Sequence, residues 1–101
     1  MPDEPLPQPP AGGSLLTELM GTKVVIDLRS SYVALGTLVA ADDQYLALKN
    51  ADLHDLRDTD TTRENYIAES KATGIKRNRK RVLVLRSDMV AIARLEDVVD
   101  E

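Results

Sequence analysis

Side chains able to do chemistry gather in three places along this chain. The single histidine, His54, stands among Asp52, Asp55 and Asp58. One imidazole with carboxylates is a conceivable metal set, but the ligand number and the outer shell that a metal site needs are both unsupported. A solvated acidic loop carries the same residues. The second place is 76-KRNRKR-81, where Lys76, Arg77, Arg79, Lys80 and Arg81 are basic. Such a run suits phosphate contact, with an affinity that falls steeply as salt rises. It contains no aromatic residue, so it would hold backbone without reading bases. It equally suits a solvated loop that balances an acidic segment or docks on a neighbour's acidic tail. The third place is a pair of turns, Asp42-Asp43-Gln44-Tyr45 and Arg86-Ser87-Asp88, each set between apolar runs. Nucleophilic catalysis finds no support. There is no cysteine, and nothing places Ser30, Ser31, Ser70 or Ser87 beside the histidine and a carboxylate. No phosphate-binding glycine loop occurs. The chain reads as a protein that is not an enzyme and needs no metal or cofactor.

The whole chain bounds what can position those residues. Its 101 residues suit one small domain with a modest core. Thirteen basic against seventeen acidic residues give a net charge of −4, which argues against coating nucleic acid by bulk charge. The charge is segregated, however. Glu96, Asp97, Asp100 and Glu101 make the C-terminus acidic, and without them and Asp3 and Glu4 the body is slightly cationic. The lack of cysteine fits a reducing compartment. No apolar stretch approaches the roughly 18 residues of a membrane helix. The acidic, proline-rich start is unlike a secretory signal. A soluble cytoplasmic protein without a membrane partner is expected.

Elements follow from periodicity. All five prolines lie in the first ten residues, ahead of Gly12-Gly13, so 1–13 reads as a disordered tail. Ser14 offers an N-cap to a short helix over 15–20, with Leu15/Leu19 and Leu16/Met20 as i,i+4 pairs and Gly21 as its stop. Strands are expected at about 22–28, 32–40 and 44–50. Val24, Ile26 and Leu28 share one face of the first, and Leu46 and Leu48 one face of the third. Gly36 permits a bend or a close approach in the second. Two further strands, about 81–86 and 89–95, read as a hairpin with Val82/Val84 and Val90/Ile92 turned inward. Between strands three and four lies an insert, 52–80. Thr61 and Glu64 match a capping box, and Gly74 a C-cap, for a charged helix of about three turns. The domain is placed at 14–96, with 97–101 as an acidic tail.

A short helix, three strands, an insert and two more strands in this order resemble the Sm/LSm family, which includes the bacterial RNA chaperone Hfq. The family's G-x-L-x-x-x-D motif appears as 36-GTLVAAD-42, followed by 43-DQYLALKN-50. Its second motif, an apolar strand ending in R-G-(D/N) before another, appears as 82-VLVLRSDMVAI-92. The resemblance covers about 14–51 and 80–96. Two positions depart from the pattern: Leu46 stands where many members carry an asparagine, and Ser87 stands for the glycine.

The resemblance implies a mainly β fold, a strongly bent five-stranded antiparallel barrel. It also implies assembly edge to edge into a ring of five to eight subunits that holds single-stranded RNA at pore-lining turns. Carried over residue by residue, the RNA site is Asp42, Gln44, Tyr45, Arg86, Ser87 and Asp88. Arg86 can stack on a base or meet a phosphate. Tyr45, or Gln44 one residue earlier, sits at the base-stacking position. Each has a plainer role: Arg86 as a turn residue paired with Asp88 or a neighbour's carboxylate, Asp42 as a cap on turn amides, Tyr45 as packing at the barrel rim. The basic run is a second, non-specific patch. Two rivals remain at this point. One is a monomeric OB-fold for single-stranded nucleic acid, although three tyrosines are few aromatics for it. The other is a ring-forming interaction scaffold that binds no RNA.

Overall fold

A computed structural model describes residues 14–99, leaving out the side chain of Ser14. The expected tail at 1–13, the side chain of the expected Ser14 cap, and Asp100 and Glu101 lie outside what is described. The order is α1 (Ser14–Thr17), β1 (Lys23–Leu28), β2 (Tyr32–Ala41), β3 (Tyr45–Asp55), α2 (Arg63–Thr73), β4 (Arg79–Leu85) and β5 (Met89–Arg94). All five strands form one antiparallel sheet in the order β4-β3-β2-β1-β5. The sheet is therefore mainly local meander, β1-β2-β3-β4, with β5 returning to β1.

β4 and β5 do not pair with one another. They leave the 3-10 turn at Arg86–Asp88 in different directions and lie at the two opposite edges of the sheet. A short polar linker between two apolar runs looks like a hairpin in sequence, but the bend of the sheet gives each strand a closer partner, β3 and β1. The inward face of β5 also differs from expectation. Leu28 pairs with Met89 and Asp27 with Ala91, so Val90 is the extra residue of a bulge and is 66% exposed. Met89 points inward in its place, and Ile92 points inward as expected.

The sharp bend sits where Gly36 crosses β3. Leu35 pairs with Asp52 and Thr37 with Lys49, so one residue of β2 faces two of β3. Asn50 takes the left-handed φ of +51° that this bulge requires. A Cβ on Gly36 would lie 3.1 Å from Ala51 Cα, Ala51 Cβ and Lys49 O. Glycine is needed here for close approach of two backbones. Asn50 looked like a strand end, yet β3 continues to Asp55. The segment between β3 and β4 is thus 56–78 and not 52–80.

Two cores result. Val24, Ile26, Leu28, Leu38, Leu46, Leu48 and Val84 fill the concave side, closed by Leu16 of α1. The helix itself is shorter than expected. After Thr17 the chain tightens into i→i+3 bonds, so Leu16 and Leu19 meet the core while Leu15 is 75% exposed. Gly21 ends it with φ +79°. On the other side of β1 and β2, Val25, Val33 and Leu35 are covered by Ile67 of α2 and by Leu95. β2 is consequently buried on both faces at 33–36. The cap of α2 is Thr62, whose hydroxyl accepts from Asn65 N at 3.1 Å. The Thr61/Glu64 box is one residue out of register. Gly74 closes the helix, donating its N–H to Ser70 O.

Candidate nucleic-acid interface

The two turns named from sequence come together at one end of the β3–β4 pair. β3 and β4 pair from Tyr45–Leu85 to Ala51–Arg79, which places the turn before β3 beside the turn after β4. Arg86 N donates to Gln44 O at 2.8 Å, and Arg86 Nη1 donates to Asp42 O at 2.5 Å. Arg86 makes no ion pair with Asp88. Its half-buried guanidinium instead ties one turn to the other and leaves charge that the carbonyl does not neutralise.

Asp42 does what its position in a tight turn allows. One carboxylate oxygen accepts from Gln44 N at 2.9 Å and Tyr45 N at 2.7 Å. The Tyr45 and Gln44 amides hold its carboxyl below the usual carboxylate value, with a smaller contribution from Arg86. Near the sheet's other end, Asp55 is also held well below its ordinary value, by Arg57 first and then by the Ser31 hydroxyl. Both folded-state values are depressed, so the stability these groups add is complete above pH 3.8 and is lost as the pH falls below it. The urea midpoint of the wild type is expected to fall on acidification through that range, and Asp42→Asn to fall less steeply. Equal slopes for the two proteins would show that the Asp42 cap contributes nothing.

The remaining predicted residues divide. Gln44 and Ser87 are exposed in the turns, and Asp88 is half-buried, its carbonyl accepting from Arg29 N at 2.8 Å. Tyr45 lies on the outer face of β3 opposite Leu85, around a shallow pocket of about 210 Å³ that Arg81 and Leu83 also line. Leu46, in the position of the family asparagine, is fully buried in the core and presents nothing to a ligand.

The basic run is only partly a loop. β4 starts at Arg79, two residues earlier than expected, so Arg79 and Arg81 share the outer face with Leu83 and Leu85. Asn78 anchors the approach: its side chain bonds Leu53 N and Leu53 O at 3.0 and 3.1 Å, while its own N–H donates to Ala51 O. Arg77 Nη1 donates to Asn50 Oδ1 at 2.7 Å. Lys76, Lys80 and the Arg81 head are exposed. Arg81 and Arg86 are five residues apart on an extended strand, roughly 17 Å. The clusters meet at one point, since Arg81 lines the same shallow pocket as Asp42 and Tyr45.

One group escaped the sequence reading. His54 stacks on Tyr66 with ring centroids 4.1 Å apart and planes 12° from parallel, and the Tyr66 hydroxyl donates to Asp52. Asp52 is buried at 4% exposure, and that burial raises its carboxyl above the usual value. The sequence suggests a solvated loop for Asp52 and His54, and a charged helix for Tyr66. Extending the β3 alternation through Asn50 would have put Asp52 and His54 on one face. Among the described residues, no cluster of three or more histidine, cysteine or acidic side chains is arranged to hold a metal ion. No helix of the described residues is long and apolar enough to cross a membrane.

No family model matches this sequence, and no curated protein does. Among solved structures, the chain is similar to the Sm protein of Pyrococcus abyssii, solved in complex with a uridine heptamer. The TM-score is 0.55 at 12% sequence identity, over 79% of this chain and 92% of that one. A likeness at that identity carries the fold. The chain has an Sm-like fold, with five antiparallel strands in one bent sheet, a short helix before β1 and a longer one between β3 and β4.

Proposed function

We propose that this protein binds single-stranded RNA as a homo-oligomeric ring in the cytoplasm, with the strand held at the turns that contain Gln44 and Arg86. The observation that carries this reading is the junction of those turns. Arg86 is fixed by its own backbone and by Asp42 O, so its planar cation is preorganised at an exposed rim. The Sm protein it resembles in fold was solved with a uridine heptamer, which supports RNA as the ligand class. With Leu46 buried, recognition here rests on stacking and charge more than on an asparagine's amide.

Ring formation is supported by the sheet edges. β4 and β5 are the outer strands, and they carry exposed Leu83, Leu85 and Val90. Unpaired edges with apolar side chains call for a partner, and head-to-tail pairing of β4 with β5 of the next copy closes without open polymerisation. Lysine at both Leu83 and Val90 is expected to leave monomers, read as a single-chain mass by light scattering. An unchanged oligomer mass would place the contact elsewhere.

Native mass spectrometry, with and without a U-rich oligomer, tests the proposal. A ring of five to eight subunits that gains one RNA strand is the expected species. A monomer that binds RNA would overturn the ring. A ring that takes no RNA would favour an interaction scaffold, the reading that the acidic net charge of −4 otherwise supports.

A further inference from the structure

We propose that the cleft between α2 and the end of β3 is a binding site for a guanine base, set apart from the pore-type turns. It is a pocket of about 380 Å³, large enough for a nucleobase with its sugar, and lined by Asp52, His54, Tyr66, Glu69, Ser70 and Lys76 among others.

Three features of the cleft point to this ligand. Its wall holds the stacked His54–Tyr66 pair, a flat π surface already ordered by the Tyr66 bond to Asp52. Every nucleobase has a face that can extend such a stack. Hydrogen-bond capacity then selects among bases. The Tyr66 hydroxyl is spent on Asp52, but a carboxylate accepts at about four positions, so Asp52 keeps capacity and Glu69 adds a second carboxylate. His54 Nε2 is buried without a partner among the described residues. The two carboxylates accept only, so a ligand edge that faces Asp52 or Glu69 must present donors, while Lys76 and the Ser70, Thr59 and Thr61 hydroxyls remain for its acceptors. Guanine offers N1–H and N2–H side by side, a match for one carboxylate. Adenine and cytosine offer one amine beside an acceptor, and the imino group of uracil lies between two carbonyls that a carboxylate repels.

Charge at the mouth completes the match. Lys76 lines the same cleft and begins the run of Arg77, Arg79, Lys80 and Arg81. A base in the cleft would thus have its phosphate at the basic segment. That gives the run a task that fits its lack of aromatics: it holds backbone while the cleft reads the base. The guanine could belong to free nucleotide or to an RNA strand. Only the second source rests on the RNA-binding reading above.

An NMR titration of the full chain with 5′-GMP, AMP, CMP and UMP decides the matter. GMP is expected to shift amides around 52–54 and 66–76 saturably, with the other nucleotides at least tenfold weaker. Asp52→Asn retains an acceptor for Tyr66 but presents an amide donor, and should weaken GMP at least tenfold. Glu69→Gln, on the exposed side of α2, provides a variant that leaves the fold alone and should weaken GMP as well. Absence of saturable shifts, or equal affinity for all four nucleotides, would overturn the proposal. So would L-argininamide binding in the cleft in place of GMP, which would assign it to a basic peptide. In a second arm, one guanosine placed in a U-rich oligomer should tighten binding in wild type and not in Asp52→Asn if the base comes from RNA. GMP binding without that preference assigns the site to free nucleotide. GMP binding by a protein that ignores all oligomers would sink the RNA reading and leave this one standing.

Discussion

Gly36→Val is expected to be the most destabilising single substitution in the sheet. Any Cβ at this position meets Ala51 Cα, Ala51 Cβ and Lys49 O at 3.1 Å, and two of those three atoms are backbone. Neither can swing aside as a long side chain would. Overpacking of this kind costs about 1–3 kcal/mol for small additions. A β-branched residue adds two methyl groups where even one atom is tight, so Gly36→Ala should fall in that range and Gly36→Val beyond it. Total stabilities of small domains are only about 5–15 kcal/mol. The bulge is also what bends the sheet, with Gly36 opposite Asn50 and Ala51. Forcing β2 away from β3 there disturbs the arc that brings Tyr45 and Leu85 into register at the far end. Equilibrium urea unfolding of the two variants checks this, and a loss below about 1 kcal/mol for valine would show that the bend is not set by contact at Gly36.

Arg86→Ala is expected to have the largest effect on RNA binding while leaving the fold in place. The side chain is half-buried in a surface turn, and its backbone bond to Gln44 O survives truncation. What disappears is a planar cation and the tie to Asp42 O. Removing a stacking partner costs about 1–3 kcal/mol per base, roughly five- to 150-fold in affinity. In a ring the loss repeats in every subunit that touches the strand. Arg86→Lys separates the two contributions, since lysine keeps the charge but loses the plane. An affinity for lysine between wild type and alanine would mean that both matter. By contrast, Arg81→Ala removes one exposed phosphate-type contact and should mainly reduce the dependence of affinity on salt.

How much of this was legible beforehand depended on whether the signal was local. The faces of β1 and β3 followed from alternation, because Val24, Ile26 and Leu28, and again Leu46 and Leu48, each point into one core. The turn residues were readable because motif and strand pattern agreed on them. The partners of β4 and β5 were not readable. Ser87-Asp88 between two apolar runs carries no record of the bend that sends β4 and β5 to opposite edges. Val90 failed for a related reason: a bulge shifts parity by one residue, and alternation counts straight through it. β3 was cut short at Asn50 because a polar residue fitted for positive φ looks like a turn, when here it marks a kink within a strand. The apolar side of α2 was hidden as well. Ile67 with Tyr66 is a thin stripe on a charged helix, and only the structure shows Val25, Val33 and Leu35 waiting beneath it. That same helix brings Tyr66 to Asp52 and His54, which share a face of β3 but whose distance along the chain from Tyr66 carries no sign of the contact.

Fluorescence anisotropy of labelled single-stranded RNA at two salt concentrations, with wild type beside Arg86→Ala, tests the central claim most directly. The expected result is saturable binding that persists at the higher salt and weakens at least fivefold in Arg86→Ala. Binding that vanishes with salt and ignores Arg86, or no binding even at low salt, would contradict it.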